Sequence, residues 1–363
     1  MNPTVHRLRV FALVAGLLPA DILVGVCLLA VQVVALPLSL FRRLAPPMSR
    51  PETSSVTIQI LNWDGKHLLE EFLPSVLIGA KGHDILVVDN GSTDGSVEFL
   101  KSRFPQVRVL ELDRNYGFSD GNNRGMEHVK TDLVVLLNND MAVDPEFLAP
   151  LLVPFADPAV FAVASQITVA DPAKSKQETG KTRARFEGGL FYLWHDVVTS
   201  QDEQRSALPV FWAGGGASAL DRRKFTALGG FDSLYHPFYV EDTDLSYQAW
   251  KRGWRSLFAP GSRVMHKHRA TSGARFGELF VNNTTRRNHF LFAWKNLTDF
   301  RMLVEHVAFL PVIHRRAITQ YGAAFEYRAY LRACLRLPMA LRRRLAHVGS
   351  YVLGDPDVLG LTQ

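Results

Sequence analysis

Two groups of acidic residues in this chain could do chemistry together. Asn138-Asn139-Asp140 ends the apolar run that follows Asp132, a run that reads as a buried strand. About a hundred residues later, Glu241-Asp242-Thr243-Asp244 opens a stretch that reads as a helix. A carboxylate at a strand end can hold a hard divalent cation against a phosphate. One at a helix start, facing the same cleft, can take a proton. Asp244 is expected to do no more than cap that helix.

These groups need a frame. Val56–Asn62, Asp84–Asp89, Val107–Leu112 and Leu133–Leu137 read as strands, rich in Val, Ile and Leu. Between them, Lys66–Leu77 and Ser96–Phe104 have helical apolar spacing, and the loop from Arg114 enters a third helix. The alternation predicts an α/β fold with a mostly parallel central sheet, flanked by helices, with ligands at the carboxyl ends of the strands. Those ends carry Asn62, Asp89-Asn90 and Asn138-Asn139-Asp140. No Gly-x-Gly-x-x-Gly follows the first strand and no Walker phosphate loop is present, which disfavours dinucleotide oxidoreductases and P-loop enzymes.

The 363 residues are 47% hydrophobic and 21% charged, so the chain is not disordered overall. Of the net +6, residues 1–50 carry about +4 and residues 301–363 about +5, leaving about −3 for the middle. Basic ends around a slightly acidic centre argue against a nucleic-acid partner and suit an anionic membrane surface. The two cysteines, Cys27 and Cys334, form no Cys-x-x-Cys pair, so no zinc site or disulfide framework is indicated.

Ile22–Phe41 is long and apolar enough to cross a bilayer. A signal peptide and a buried soluble helix are the competing readings. The break at Pro19-Ala20-Asp21 leaves open one crossing or a re-entrant hairpin. Arg42, Arg43 and Arg50 would keep the following domain on the cytoplasmic side. From His314 to Leu345, Arg328, Arg332 and Arg336 step by four; that stripe either lies on a membrane or packs on the enzyme. Pro338 is expected to end or kink that helix. The expected organisation is a membrane-associated segment (1–50), a catalytic domain (51–300) and a basic amphipathic helical region (301–363).

The motif series Val-Val-Asp89-Asn-Gly-Ser-Thr-Asp94-Gly-Ser, Arg114-Asn115-Tyr-Gly117 through Gly125, and Leu-Leu-Asn138-Asn139-Asp140 resembles family 2 glycosyltransferases of the GT-A fold, most of all their bacterial rhamnosyltransferase-like branch. Phe211-Trp-Ala-Gly-Gly-Gly-Ala, Gly229-Gly230-Phe231-Asp232 and Tyr239-Val-Glu241-Asp242 continue the resemblance in order, across about residues 55–300. It implies an inverting transferase that uses a nucleotide sugar. Asn62, Asp89, Asn90, Arg114, Asn122 and Asn139 would lie on the donor side. Asp140 would bind a divalent metal, Mg2+ or Mn2+, with Asn138 standing where the family more often has a first Asp. His266, favoured over His268, would complete that site.

Asp242 would be the general base. Trp212, Gly214, Gly215 and Glu241 would face an acceptor, expected to be lipid-linked or a cell-envelope glycan at the cytoplasmic face of the plasma membrane. Rhamnose from a dTDP donor is what the branch suggests. The segment 174–205, with Phe191, Tyr192 and Trp194, reads as a flap whose aromatic rings either stack on sugars or pack beneath the loop. Arg286-Arg287-Asn288 and Trp294-Lys295-Asn296 are expected at a membrane interface. The alternative, from another class, is a catalytically silent membrane-bound assembly subunit. Intact Asp89, Asp140 and Asp242 argue against it.

Overall fold

The computed structural model describes residues 3–40, 48–169, 178–267 and 276–363. His268, Arg42, Arg43 and the start of the expected flap lie outside them. Two apolar helices come first, α1 (Pro3–Ala15) and α2 (Leu18–Leu40). Then β1 (Val56–Asn62), α3 (Lys66–Gly79), β2 (Asp84–Asp89), α4 (Ser96–Arg103), β3 (Arg108–Glu111), α5 (Gly117–Glu127) and β4 (Leu133–Asn138) alternate as the pattern predicts. Next come β5 (Met141–Val143), α6 (Leu148–Leu152), β6 (Val160–Val169), β7 (Thr182–Glu187), β8 (Leu190–His195), α7 (Ser200–Glu203) and β9 (Leu208–Pro209). They are followed by β10 (Ala217–Asp221), α8 (Arg222–Leu228), α9 (Glu241–Lys251) and β11 (Arg255–His266). The chain closes with α10 (Glu278–Asn296), α11 (Phe300–Tyr321), α12 (Ala323–Cys334), α13 (Leu337–Val348) and α14 (Asp355–Leu361).

The main sheet runs β3-β2-β1-β4-β10-β6-β11-β5, with β9 also pairing β11. β3, β2, β1 and β4 are parallel, as is β6 with β11, while β10 is antiparallel to both neighbours. β1 and β4 are buried on both faces, which is why they read as continuous apolar runs rather than alternating ones. Register sets Asn62 opposite Asp89 and Leu61 opposite Asn138, so the polar strand ends share one edge.

Helix α5 is built from Gly-Phe-Ser-Asp-Gly-Asn-Asn-Arg-Gly, a poor helix former by propensity. Tertiary packing decides here. A Cβ on Gly125 would come within 2.6 Å of Gln59 and of Val88, so only glycine lets this helix lie so close to the sheet.

One apolar layer lies under α3 and α6 and a second under α8 and α9. A third, rich in aromatic residues, joins β7–β8 and α9 to α2, α10, α11, α12 and α13. Phe191 of the expected flap belongs to this layer, packed on Phe211, Tyr247 and Phe292, while Arg185 covers Tyr192 and Trp194. Phe191 therefore packs beneath its own hairpin, while Tyr192 and Trp194 lie on the strand's other face, Trp194 exposed.

Two expectations about the chain ends are corrected. Trp294, Lys295 and Asn296 are buried in the core, and Arg286 pairs with buried Glu326, so this segment is not an interface. The Arg328, Arg332, Arg336 stripe is also broken, because α12 stops at Cys334 and Pro338 sits in the first turn of α13, where its missing N–H costs nothing. Arg336 turns inward to the carbonyls of Leu234 and His236.

Candidate active site

The strand ends form one hydrogen-bonded shelf. Asn62 donates to Asp89 Oδ2 (3.1 Å) and accepts from Asn139 Nδ2 (2.8 Å). Asp89 Oδ1 accepts from the Ser92 N–H. Asn90 donates to Asn115 and to the Gly117 carbonyl and accepts from the Tyr116 N–H, which fixes the Arg114 loop beside the shelf. Arg114 stacks on Tyr116 at 4.8 Å. Asn122 lies behind the shelf, accepting from Gln59 and donating to the Phe118 carbonyl.

Asp140 follows β4 and is buried. Antiparallel pairing of β5 with β11 sets Met141 opposite His266. His266 Nε2 thereby lies 3.1 Å from Asp140 Oδ1, while its Nδ1 lies 2.7 Å from Glu178 Oε2. Burial would lower the imidazole's proton affinity, but hydrogen bonds and charge from the two carboxylates outweigh it and push the pKa up to about 10. Among the described residues no group of three or more His, Cys, Asp or Glu side chains could hold a metal ion by itself. Asp140 offers an oxygen, and His266 would offer the converging Nε2 once a cation displaces the proton held there. A carboxylate on the far imidazole nitrogen is the usual support for a metal-ligating histidine. The donor set fits a divalent cation whose remaining ligands come from phosphate and water.

The second carboxylate is held differently. Residues Tyr239 and Val240, at φ 71° and 81°, occupy the left-handed region just before α9. For a β-branched valine this is strained, and such strain is typically stored at functional positions. Asp242 Oδ2 accepts from the Gly215 N–H at 3.2 Å and Oδ1 from the Thr243 N–H at 2.7 Å. Burial raises its pKa against the lowering effect of those N–H groups. Glu241 is also buried, and its Oε2 has no hydrogen-bond partner among the described residues. Burial first, and then the charge of Asp242, push Glu241 up to about 8, so it is protonated at neutral pH.

One turn connects the two carboxylate groups. Gly215 donates to Asp242, and the carbonyl of the next residue, Gly216, accepts from the Asn138 N–H at 2.8 Å. A Cβ on Gly216 would fall 2.4 Å from the Asn138 amide nitrogen. Trp212, just upstream, is buried, with its backbone on Thr182 and its ring edge-on to His195.

Asp244 is not a cap. It is buried inside α9's first turn, where Tyr235, Lys295 and Asn296 all donate to it, and Lys295 bridges on to Asp232. Its acidity answers a buried cation rather than free N–H groups. Three features escape sequence reading: Glu178, Lys295 and the double contact of Gly215 and Gly216. Lys295 had a signal, a lone cation directly after the apolar run Phe290-Leu-Phe-Ala-Trp294. Glu178 had none.

Residues 55–225 match the family model described as glycosyl transferase family 2. Over 233 residues the chain is 29% identical to an N-acetylglucosaminyl-diphospho-decaprenol L-rhamnosyltransferase of Mycobacterium tuberculosis, covering 58% of this chain and 75% of the relative. It is 26% identical over 215 residues to human polypeptide N-acetylgalactosaminyltransferase 16, covering 56% of this chain but only 38% of that protein. The crystal structure of GalNAc-T7 with UDP, GalNAc and Mn2+ shares the fold, with a TM-score of 0.52 at 20% identity over 68% of this chain and 48% of that one. With the ordered strand-end motifs and the matched family model, residues 55–225 form a glycosyl transferase family 2 domain, carried on a GT-A-type sheet.

Proposed function

We propose that the enzyme moves a sugar from a nucleotide-diphosphate donor to a hydroxyl of a lipid-linked or cell-envelope glycan, with inversion. The observation that carries this reading is the glycine turn, since adjacent residues of it contact Asp242 and the strand end next to Asp140. A donor diphosphate at the shelf would therefore present its anomeric carbon toward the base. Asp242 takes the proton of the attacking hydroxyl while a new C–O bond forms on one face of the sugar and the bond to the diphosphate breaks on the other. The Gly215 N–H keeps the carboxylate aimed, and burial gives it the proton affinity a base needs.

Glu241, being protonated, adds no second charge beside the base, and it faces the acceptor with Trp212, Gly214 and Gly215. Asn62, Asp89, Asn90, Arg114 and Asn139 receive the nucleotide, with Asn122 bracing them. A Mg2+ or Mn2+ ion held by Asp140 and His266 would offset the charge of the departing diphosphate. L-Rhamnose is the first donor sugar to test, since the mycobacterial relative is an L-rhamnosyltransferase by name. Residues 51–300 serve as the catalytic unit, and both ends meet the cytoplasmic face of the plasma membrane. The apolar length of α2, the one described helix long and apolar enough to cross a membrane, supports that placement.

The test is nucleoside diphosphate release across a panel of nucleotide sugars with Mg2+ or Mn2+. Asp242→Asn is expected to lose about 10²–10⁴-fold in kcat with donor affinity retained. Unchanged turnover in that variant would remove the base assignment. Release from no donor by the wild-type chain would favour the silent subunit.

A further inference from the structure

A groove of about 360 Å³, within the range of small-molecule sites, lies outside the cleft just described. It is lined by Phe280 of α10 and by Tyr327, Arg328, Leu331, Arg332 and Leu335 on and just after α12. Its chemistry is divided. Phe280, Leu331 and Leu335 give an apolar side, and Leu335 is 82% exposed although nothing in solution rewards that. Arg328 and Arg332 give a cationic side. Buried Arg287 and half-buried Arg336 lie near enough that Arg332 lowers the proton affinity of both, on top of the larger effect of their own burial. Among the described residues none of these four arginines forms an ion pair with a carboxylate. Arg287 and Arg336 already donate to the carbonyls of Leu234, Tyr235 and His236, so Arg328 and Arg332 are the two cations that face the groove, and guanidinium groups match phosphate oxygens well.

Two contacts orient the groove. Phe280 stacks on Phe276 (5.6 Å), and both rings meet Phe238, beside Tyr239 and two residues short of the α9 strain point. Phe276 also reaches Trp63 at the end of β1 (6.3 Å). An aromatic row thus runs from the groove to the mouth of the catalytic cleft. At the other end, Tyr327 donates to the Leu13 carbonyl of α1, so the groove opens beside the exposed apolar helices.

We infer that this groove binds the isoprenoid diphosphate of a lipid-linked acceptor, with its phosphates at Arg328 and Arg332 and its first isoprene units along Leu331 and Leu335. The inference rests on the lipid-linked acceptor reading above and assigns a residue set to it. The sugar end would then reach Asp242 along the aromatic row, while the tail leaves toward the membrane beside α1.

The test measures equilibrium binding of fluorescent farnesyl diphosphate to the full-length protein in detergent, with no donor present. Wild type is expected to bind it. Farnesyl diphosphate should compete, and inorganic pyrophosphate and phosphatidylglycerol micelles should compete at least tenfold more weakly. Arg328→Gln/Arg332→Gln and, separately, Leu335→Asp should each weaken binding at least tenfold, with unchanged melting temperatures showing that the fold is intact. Equal affinity in all three proteins overturns the site. So does equal competition by phosphatidylglycerol, which would make this a general anionic-lipid contact. Because no donor is used, the result is separable from the transfer assay. Probe binding without transfer to any polyprenyl acceptor sinks the acceptor reading and keeps the groove; transfer without probe binding sinks the groove alone.

Discussion

At the residue scale, adjacent acids have different fates because their surroundings differ. Burial raises both pKa values, and at Asp242 two N–H donors oppose the rise by favouring its charged form. Glu241 has burial and a neighbouring charge that disfavour it, and its pKa rises from 4.5 to about 8. The folded state therefore keeps a proton that the unfolded chain releases. Above pH 4.5 the unfolded state gains by ionising, so this residue's contribution to stability falls with rising pH until about 8 and is fully present only below 4.5. Glutamine has no proton to release. Glu241→Gln is expected to melt at or above wild type at pH 8, with the difference moving toward wild type's favour at pH 5. Thermal melts at the two pH values check this; a pH-independent difference would show that Glu241 is ionised in the fold. The identities of these acids were legible in the sequence, but their charge states were not, since those depend on the Gly215 N–H arriving from 27 residues away.

At the element scale, what aims the base is the seating of α9. Lys295 of α10 sits between Asp244 in α9 and Asp232 at the preceding turn, at 2.6 and 2.8 Å, with all three side chains buried. Removing the cation would leave Asp244 buried without a counter-charge and Asp232 with only Arg343, 3.5 Å away. Lys295→Met is expected to destabilise the fold by about 3–5 kcal/mol, measured by denaturant unfolding, whereas Asp232→Asn, which leaves Lys295 paired with Asp244, should cost less. Equal costs would mean that the network does not act as one unit.

The sequence is legible at this scale where pattern is local. The four parallel strands and α3 are visible because apolar period and strand-end polarity coincide. Helix α5 is visible only as a loop entering a helix, because its glycines serve contacts with Gln59 and Val88 that no local pattern records. The Asp244 cap fails for the same reason, its partners lying about fifty residues downstream. The buried Trp294-Lys295-Asn296 segment looks like an interface because amphipathic composition does not say which neighbour covers it.

At the scale of the whole molecule, the apolar N-terminus packs along α11 rather than standing alone or folding back on itself. Its contacts advance steadily, antiparallel to α11. Val10 and Val14 pack with Ile318, Asp21 pairs with His314, Gly25 faces Val307, and Gln32 donates to the Thr298 carbonyl. The break at Gly16-Leu17 bends the path without reversing it. Asp21 is the first member of a buried chain that continues through His314 and Glu326 to Arg286, tying the N-terminus to α10. If α2 crossed a bilayer, α11 would have to enter with it, carrying exposed Arg301, Arg315 and Arg316, at several kcal/mol each. Phe11, Ile22, Val26 and Val33 of α1 and α2 and Phe300 and Val304 of α11 are all exposed, apolar side chains suited to lying in the headgroup region. Both ends of the segment should then stay on the side of the catalytic domain. In a Cys27→Ser/Cys334→Ser background, Val5→Cys and Ser55→Cys are expected to react equally with an impermeant maleimide in inside-out vesicles. Protection of position 5 until detergent is added would demand a crossing, and with it the rupture of the Asp21–His314 pair. Asp21→Leu should then leave melting temperature unchanged if α2 crosses, and lower it if α2 lies along α11 as a surface strap.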